Sequence, residues 1–92
     1  MGDTRVWRIE FDSEAARDLR KLGTEPQRLI LRYLRQRIAT AEDPRRFGRP
    51  LTGDLKGLWR YRIGDHRIVA SIEDDRLVVL IVTVGHRRDV YD

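Results

Sequence analysis

Apolar and polar residues alternate with period two over Arg5–Phe11 (RVWRIEF), where Val6 sits between more polar neighbours. The same alternation returns over Leu58–Ile63, His66–Ile72 and Leu77–Val84. Successive side chains of a strand point to opposite faces, so each segment predicts a β-strand. Between the first strand and the rest the period lengthens to that of a helix. In DSEAARDLRKLG (12–23), Asp12 or Ser13 can cap, Glu14 lies in the first turn and Gly23 marks the end. Ala15, Leu19 and Leu22 form its buried stripe. A second helix is predicted over TEPQRLILRYLRQRIATA (24–41), with Thr24 and Gln27 in a capping-box pattern and Pro26 in the tolerated first turn. Ile30, Leu34, Ile38 and Ala41 run down one face, with Leu31 and Tyr33 beside them; Arg28, Arg32 and Arg35 lie mostly on the other side. Glu42–Gly57 is dense in Pro, Gly and Asp and reads as a loop. Gly64-Asp65 and Asp74-Asp75 are two-residue hairpin signals that join the last strands into a meander.

The order β-α-α-β-β-β predicts an α+β fold spanning residues 1–92 as one domain. A two-helix hairpin, linked at Gly23-Thr24, packs on one face of a small, mainly antiparallel sheet. In this register Trp59, Tyr61, Ile63, Ile68, Ala70, Ile72, Leu77, Val79 and Ile81 share the helix-covered face. Arg60, Arg62 and Arg67 take the other face with Val69, Ser71, Val78, Leu80 and Val82. The two-residue turn sets Arg62 directly opposite Arg67, and like charges placed so destabilise a sheet unless an anion bridges them. A phosphate would do so, and so would a carboxylate from Glu10, Asp89 or a partner chain.

Composition sharpens this picture. Of the 19 basic residues, 17 are Arg, and the net charge is +4, which favours a polyanionic or acidic partner. Residues 51–92 are neutral in sum, but their acids fall mainly in predicted turns and their arginines in strands or in the tail. The average therefore conceals a basic face. There is no cysteine, which excludes disulfides and thiolate metal sites, and His66 and His86 are too few for a zinc site unless carboxylates complete it. No apolar stretch has the length of a membrane span, and the N-terminus lacks a signal-peptide pattern, so a cytoplasmic protein is expected. The tail GHRRDVY gathers His86, Arg87, Arg88 and Tyr91 just after the last strand.

DLRKLG, DPRRFGRPLTGDLKGLWRYRIGDHRIV and VGHRRDVY together resemble the RelE branch of the RelE/ParE toxin superfamily from bacterial type II toxin–antitoxin pairs. The resemblance covers nearly the whole chain, including the order of elements. It implies a cytoplasmic toxin, silenced by an antitoxin encoded beside it, that cleaves messenger RNA in the ribosomal A site without metal or cofactor. The apolar half of the arginine face, around Val69, Leu80 and Val82, suits an amphipathic antitoxin segment whose acidic residues would meet the arginines. The substrate's 2′-hydroxyl would attack the adjacent phosphate and leave a 2′,3′-cyclic end. Carried over residue by residue, the resemblance implies catalytic roles for Arg60, Arg62, Arg67, Arg87 and Tyr91. Arg62, Arg67 and Arg88 would grip phosphate. Where RelE proteins carry lysines on the first meander strand, this chain has Leu58 and Arg60. Arginine stays protonated and is a poor base. Proton transfer then falls to His86, His66 or Tyr91, or acceleration comes mainly from charge stabilisation. Operator DNA would be reached only through the antitoxin. Two alternatives remain open: a ParE-like inhibitor that binds DNA gyrase without catalysis, and an interaction module whose arginine face holds an acidic peptide.

Overall fold

The computed structural model describes residues 5–86. Strand β1 (Arg8–Phe11) leads into helix α1 (Ser13–Arg20) and helix α2 (Thr24–Tyr33). Strands β2 (Arg49–Pro50), β3 (Trp59–Ile63), β4 (His66–Glu73) and β5 (Val78–His86) follow. They form one sheet in the order β1-β5-β4-β3-β2, parallel between β1 and β5 and antiparallel elsewhere. Two helices on one face of a mixed sheet make the α+β architecture that the pattern predicts.

The helices start as their residues dictate, with one exception. Asp12 caps α1, its carboxylate accepting from the Ala15 N–H at 2.8 Å. The capping box expected at Thr24 does not form. Gly23, at φ +88, occupies the cap position itself and moves Thr24 into the first turn. Gln27 instead donates to the Arg20 carbonyl at 3.3 Å, which ties α2 to the end of α1.

After Tyr33 the helix widens into a π-turn over Leu34–Ile38, closed by the Ala39 N–H donating to the Leu34 carbonyl at 2.8 Å. Positions i, i+4 and i+8 drift around a straight α-helix, because four residues exceed one turn of 3.6. The wider turn takes up that drift and keeps Ile30, Leu34 and Ile38 all buried against the sheet. Ala41, expected on the same stripe, lies past the helix end and is exposed.

Trp7, Ala15, Leu19, Ile30, Leu34 and Ile38 meet Tyr61, Ile63, Ile68, Ala70, Val79, Ile81 and Val84 in a single core. Each large side chain buried there contributes about 1.5–3 kcal/mol. Three expectations need correction. The first strand begins at Arg8 rather than Arg5, and Trp7 (7% exposed) is buried while Val6 (46%) is not, because the pairing of Arg8 with Val78 turns Trp7 to the helix-covered face. The last hairpin closes through residues 74–77, since Glu73 pairs with Val78; the slip is two residues, so the division of faces survives. A bulge then leaves Val82 unpaired between Ile81 and Thr83, so Val84 joins the core and Thr83 takes the arginine face. Trp59 keeps the core-facing parity but stands half-buried at the margin, with the Arg45 guanidinium 5.8 Å from its ring centre.

Candidate functional site

The hairpin built on Gly64, whose φ of +60 the two-residue turn requires, puts Arg62 directly across from Arg67. This is the register that the sequence dictates. Paired residues of an antiparallel ladder share a face, so the arginines can be followed row by row across the sheet. One row runs Arg62, Arg67, Gly85 and the next runs Arg49, Arg60, Val69, Thr83. Among the described residues, no carboxylate stands in either row. Arg60 and Arg67 are 9% and 8% exposed, whereas Arg49 and Arg62 are open to solvent. Arg60, Arg62 and Arg67 each also engage a further interaction partner.

Arg49 is the residue that sequence reasoning missed. It lies in the segment read as a loop, yet that segment is a fastened arm. Pro44 opens a short 3₁₀ turn capped by Asp43, whose carboxylate accepts from the Arg45 N–H at 3.0 Å. The buried Tyr61 hydroxyl donates to the Pro44 carbonyl at 2.7 Å. Burial also pushes the Tyr61 phenol pKa well above its ordinary range, so it stays a donor. Arg45 makes a bidentate pair with Asp74, at 3.1 and 2.6 Å, whose hydrogen bonds hold the Asp74 carboxyl below the usual range. Gly48 then passes so close to β3 that a Cβ there would meet the Tyr61 ring at 3.1 Å and the Arg60 carbonyl at 3.3 Å. These contacts seat β2 on β3 with Arg49 opposite Arg60. The signals were the small Gly48 and the edge-tolerant Pro50, too local for a pattern to reveal.

The histidines part company with the arginines. His66 pairs with both Ile63 and His86, and so takes the parity of the helix-covered side. The two imidazoles meet edge to face at 5.8 Å, and His66 Nδ1 is buried with no hydrogen-bond partner among the described residues. Arg87, Arg88 and Tyr91 lie outside the described residues. Among the described residues, no group of three or more His, Cys, Asp or Glu side chains is arranged to hold a metal, and no helix is long and apolar enough to cross a membrane.

On the other half of the arginine face Leu80 and Val82 are half-buried, and two valines are enclosed by their neighbours. Val69 is 3% exposed and Val78 fully buried, their neighbours in register being Arg60 and Thr83 for the one and Arg8 and Glu73 for the other. Arg76 bridges Glu10 and Glu73 at 3.3 Å there, joining the neighbouring strands. An apolar groove of about 390 Å³ opens elsewhere, between β1 and α2. Ile9, Phe11, Leu31, Leu34 and Ala39 line it, and Arg35 stands on its rim.

Residues 9–91 match the family described as ParE toxin of type II toxin–antitoxin system, parDE. Toxin RelG of Mycobacterium tuberculosis is 33% identical over 84 residues, covering 90% of this chain and 93% of that protein. Toxin RelE of the same organism is 31% identical over 91 residues, 99% of this chain and 92% of its own length. The toxin–antitoxin complex RelBE2 of M. tuberculosis contains a chain that superimposes with a TM-score of 0.81 at 29% identity, covering 90% of this chain and all of that one. A fold shared along its length, a family match over nearly all its residues and relatives that are RelE-type toxins lead to one conclusion. The chain belongs to the RelE/ParE superfamily of type II toxin–antitoxin toxins, on its RelE branch.

Proposed function

We propose that this toxin is a ribosome-dependent endoribonuclease that cuts messenger RNA on its arginine face. The observation that carries the reading is the direct register of Arg62 with Arg67, with Arg60 one row along on the same face. In the reaction the substrate's 2′-oxygen attacks the adjacent phosphorus and the bond to the 5′-oxygen breaks. The products are a 2′,3′-cyclic phosphate and a 5′-hydroxyl; one proton leaves the 2′-hydroxyl and one reaches the departing oxygen. Arg60, Arg62 and Arg67 hold the equatorial oxygens of the phosphorane, a role suited to a group that does not deprotonate. Arg87 adds charge to the transition state, Arg88 contacts phosphate and Tyr91 orients the nucleotide. His86 is the acid–base candidate among the described residues, though its register lies with the helix side of the sheet. Electrostatic stabilisation therefore supplies most of the acceleration. Losing one such donor costs roughly 10²–10³ in rate.

The reading includes an acidic, amphipathic antitoxin, as the RelBE2 complex suggests. The groove between β1 and α2 fits its apolar side, and Arg28 and Arg32 of α2 with Arg35 of the π-turn, beside Leu31, fit its carboxylates. Operator DNA is reached only through that partner.

The family's ParE description favours a second reading, gyrase inhibition without catalysis. Primer extension on messenger RNA in a translating extract separates the two. A-site cuts that Arg67→Gln abolishes are expected, with naked RNA cut poorly. Intact messenger RNA together with inhibited DNA supercoiling would overturn the reading in favour of the second.

A further inference from the structure

The pairing of β2 with β3 has a consequence for how a strand of RNA lies on this face. Adjacent rows of the sheet are two residues apart along a strand, about 6.7 Å. That separation is close to the step between successive phosphates of an extended single strand. The row of Arg62 and Arg67 and the row of Arg49 and Arg60 are such neighbours. We propose that Arg49, carried by β2 opposite Arg60, forms a second phosphate subsite, one nucleotide along the backbone from the phosphate held at Arg60, Arg62 and Arg67. The ligand is the phosphodiester of a single RNA strand, so the inference rests on the reading that this face takes RNA.

Three features of the arm support the assignment. Arg49 is exposed while its neighbour Arg60 is nearly buried, so the outer guanidinium is the one a flexible backbone meets first. Its position is determined rather than accidental, because the Tyr61–Pro44 hydrogen bond, the Arg45–Asp74 pair and the close passage of Gly48 all fix the strand that bears it. Arginine's planar fork suits two phosphate oxygens at once. A contact of this kind reads no base, so it strengthens binding alike for every sequence.

The test measures the fluorescence anisotropy of a labelled single-stranded oligonucleotide with 2′-O-methyl sugars, which cannot be cut, over a series of salt concentrations. Each phosphate that a protein neutralises on a single strand adds about 0.7 to the slope of log affinity against log salt. Arg49→Ala is expected to lower the slope by one such step. Arg49→Lys keeps the slope, and Arg17→Ala, on the exposed side of α1, leaves it unchanged. A methylphosphonate at the neighbouring position weakens the wild type but not Arg49→Ala. A wild type that binds with the same slope as Arg49→Ala, or a methylphosphonate penalty that persists in the variant, overturns the subsite alone. Failure of the wild type to bind overturns the RNA reading and the subsite with it. Thermal melting of Arg49→Ala at the wild-type temperature shows that the arm is still folded, and a lowered midpoint would instead assign Arg49 a structural role.

Discussion

Tyr61→Phe isolates the hydrogen bond on which the β2 arm hangs. The ring is fully buried, and phenylalanine fills the same volume, so no cavity opens. What disappears is the hydroxyl that donates at 2.7 Å to the carbonyl of Pro44, itself fully buried. An acceptor left without a donor in the interior costs about 1–3 kcal/mol, and relaxation of an arm at the sheet edge places the expectation at about 1–2 kcal/mol. For a domain of this size each kcal/mol lowers the melting midpoint by about 4–8 °C, giving a drop of about 4–16 °C by calorimetry or circular dichroism. The Leu51 amide, which donates to Leu58 at the base of the arm, exchanges faster in the variant. pH supplies an independent check. Burial raises the folded phenol's pKa, so its contribution is present below the unfolded value of about 10 and is lost as pH rises above it. The wild type therefore loses stability in that alkaline range by an increment that Tyr61→Phe lacks. An unchanged midpoint, or equal alkaline losses in both proteins, would refute the view that this bond fastens the arm.

Three further outcomes are expected. Ile38→Ala empties a fully buried position beneath the π-turn and should lower stability by about 2–5 kcal/mol, read as a shift of the urea midpoint at constant slope. The Asp74 carboxyl is held low by Arg45, so its contribution is present above the unfolded value of about 3.9 and disappears as pH falls through the lower folded one. The melting difference between wild type and Asp74→Asn should thus vanish in strong acid and be complete near neutrality. Leu31→Glu, at an exposed apolar position on the groove, should weaken co-purification with the cognate antitoxin while leaving messenger RNA cleavage intact. Undiminished complex formation would place the antitoxin elsewhere.

The parts of the fold visible in the sequence are those where a local signal and a long pattern agree. Gly64-Asp65 between alternating segments fixed the facing of Arg62 and Arg67, and DSEAARDL carried its own cap and stripe. The run from Val78 to Val84 is apolar on both parities, so period two could not disclose the bulge that re-aims Val84 into the core. Val6 and Trp7 are both apolar, and only the pairing of Arg8 with Val78 decides which enters the interior. Arg49 escaped for a different reason. A two-residue strand has no period, and its place depends on Tyr61, Gly48 and Asp74, which lie on other elements. Val69 and Val78 look exposed in a strand pattern, whereas neighbouring side chains enclose them in the fold.

The central claim is that the rows of arginines act on an RNA phosphate. Its most direct test is the chemistry of the ends produced on purified ribosomes carrying a defined messenger RNA. The account predicts a cut in the A-site codon, with a 2′,3′-cyclic phosphate upstream and a 5′-hydroxyl downstream, lost by about 10²–10³-fold in a folded Arg67→Gln variant. Messenger RNA that stays intact under the wild-type toxin, or cuts that survive Arg67→Gln undiminished, would contradict it.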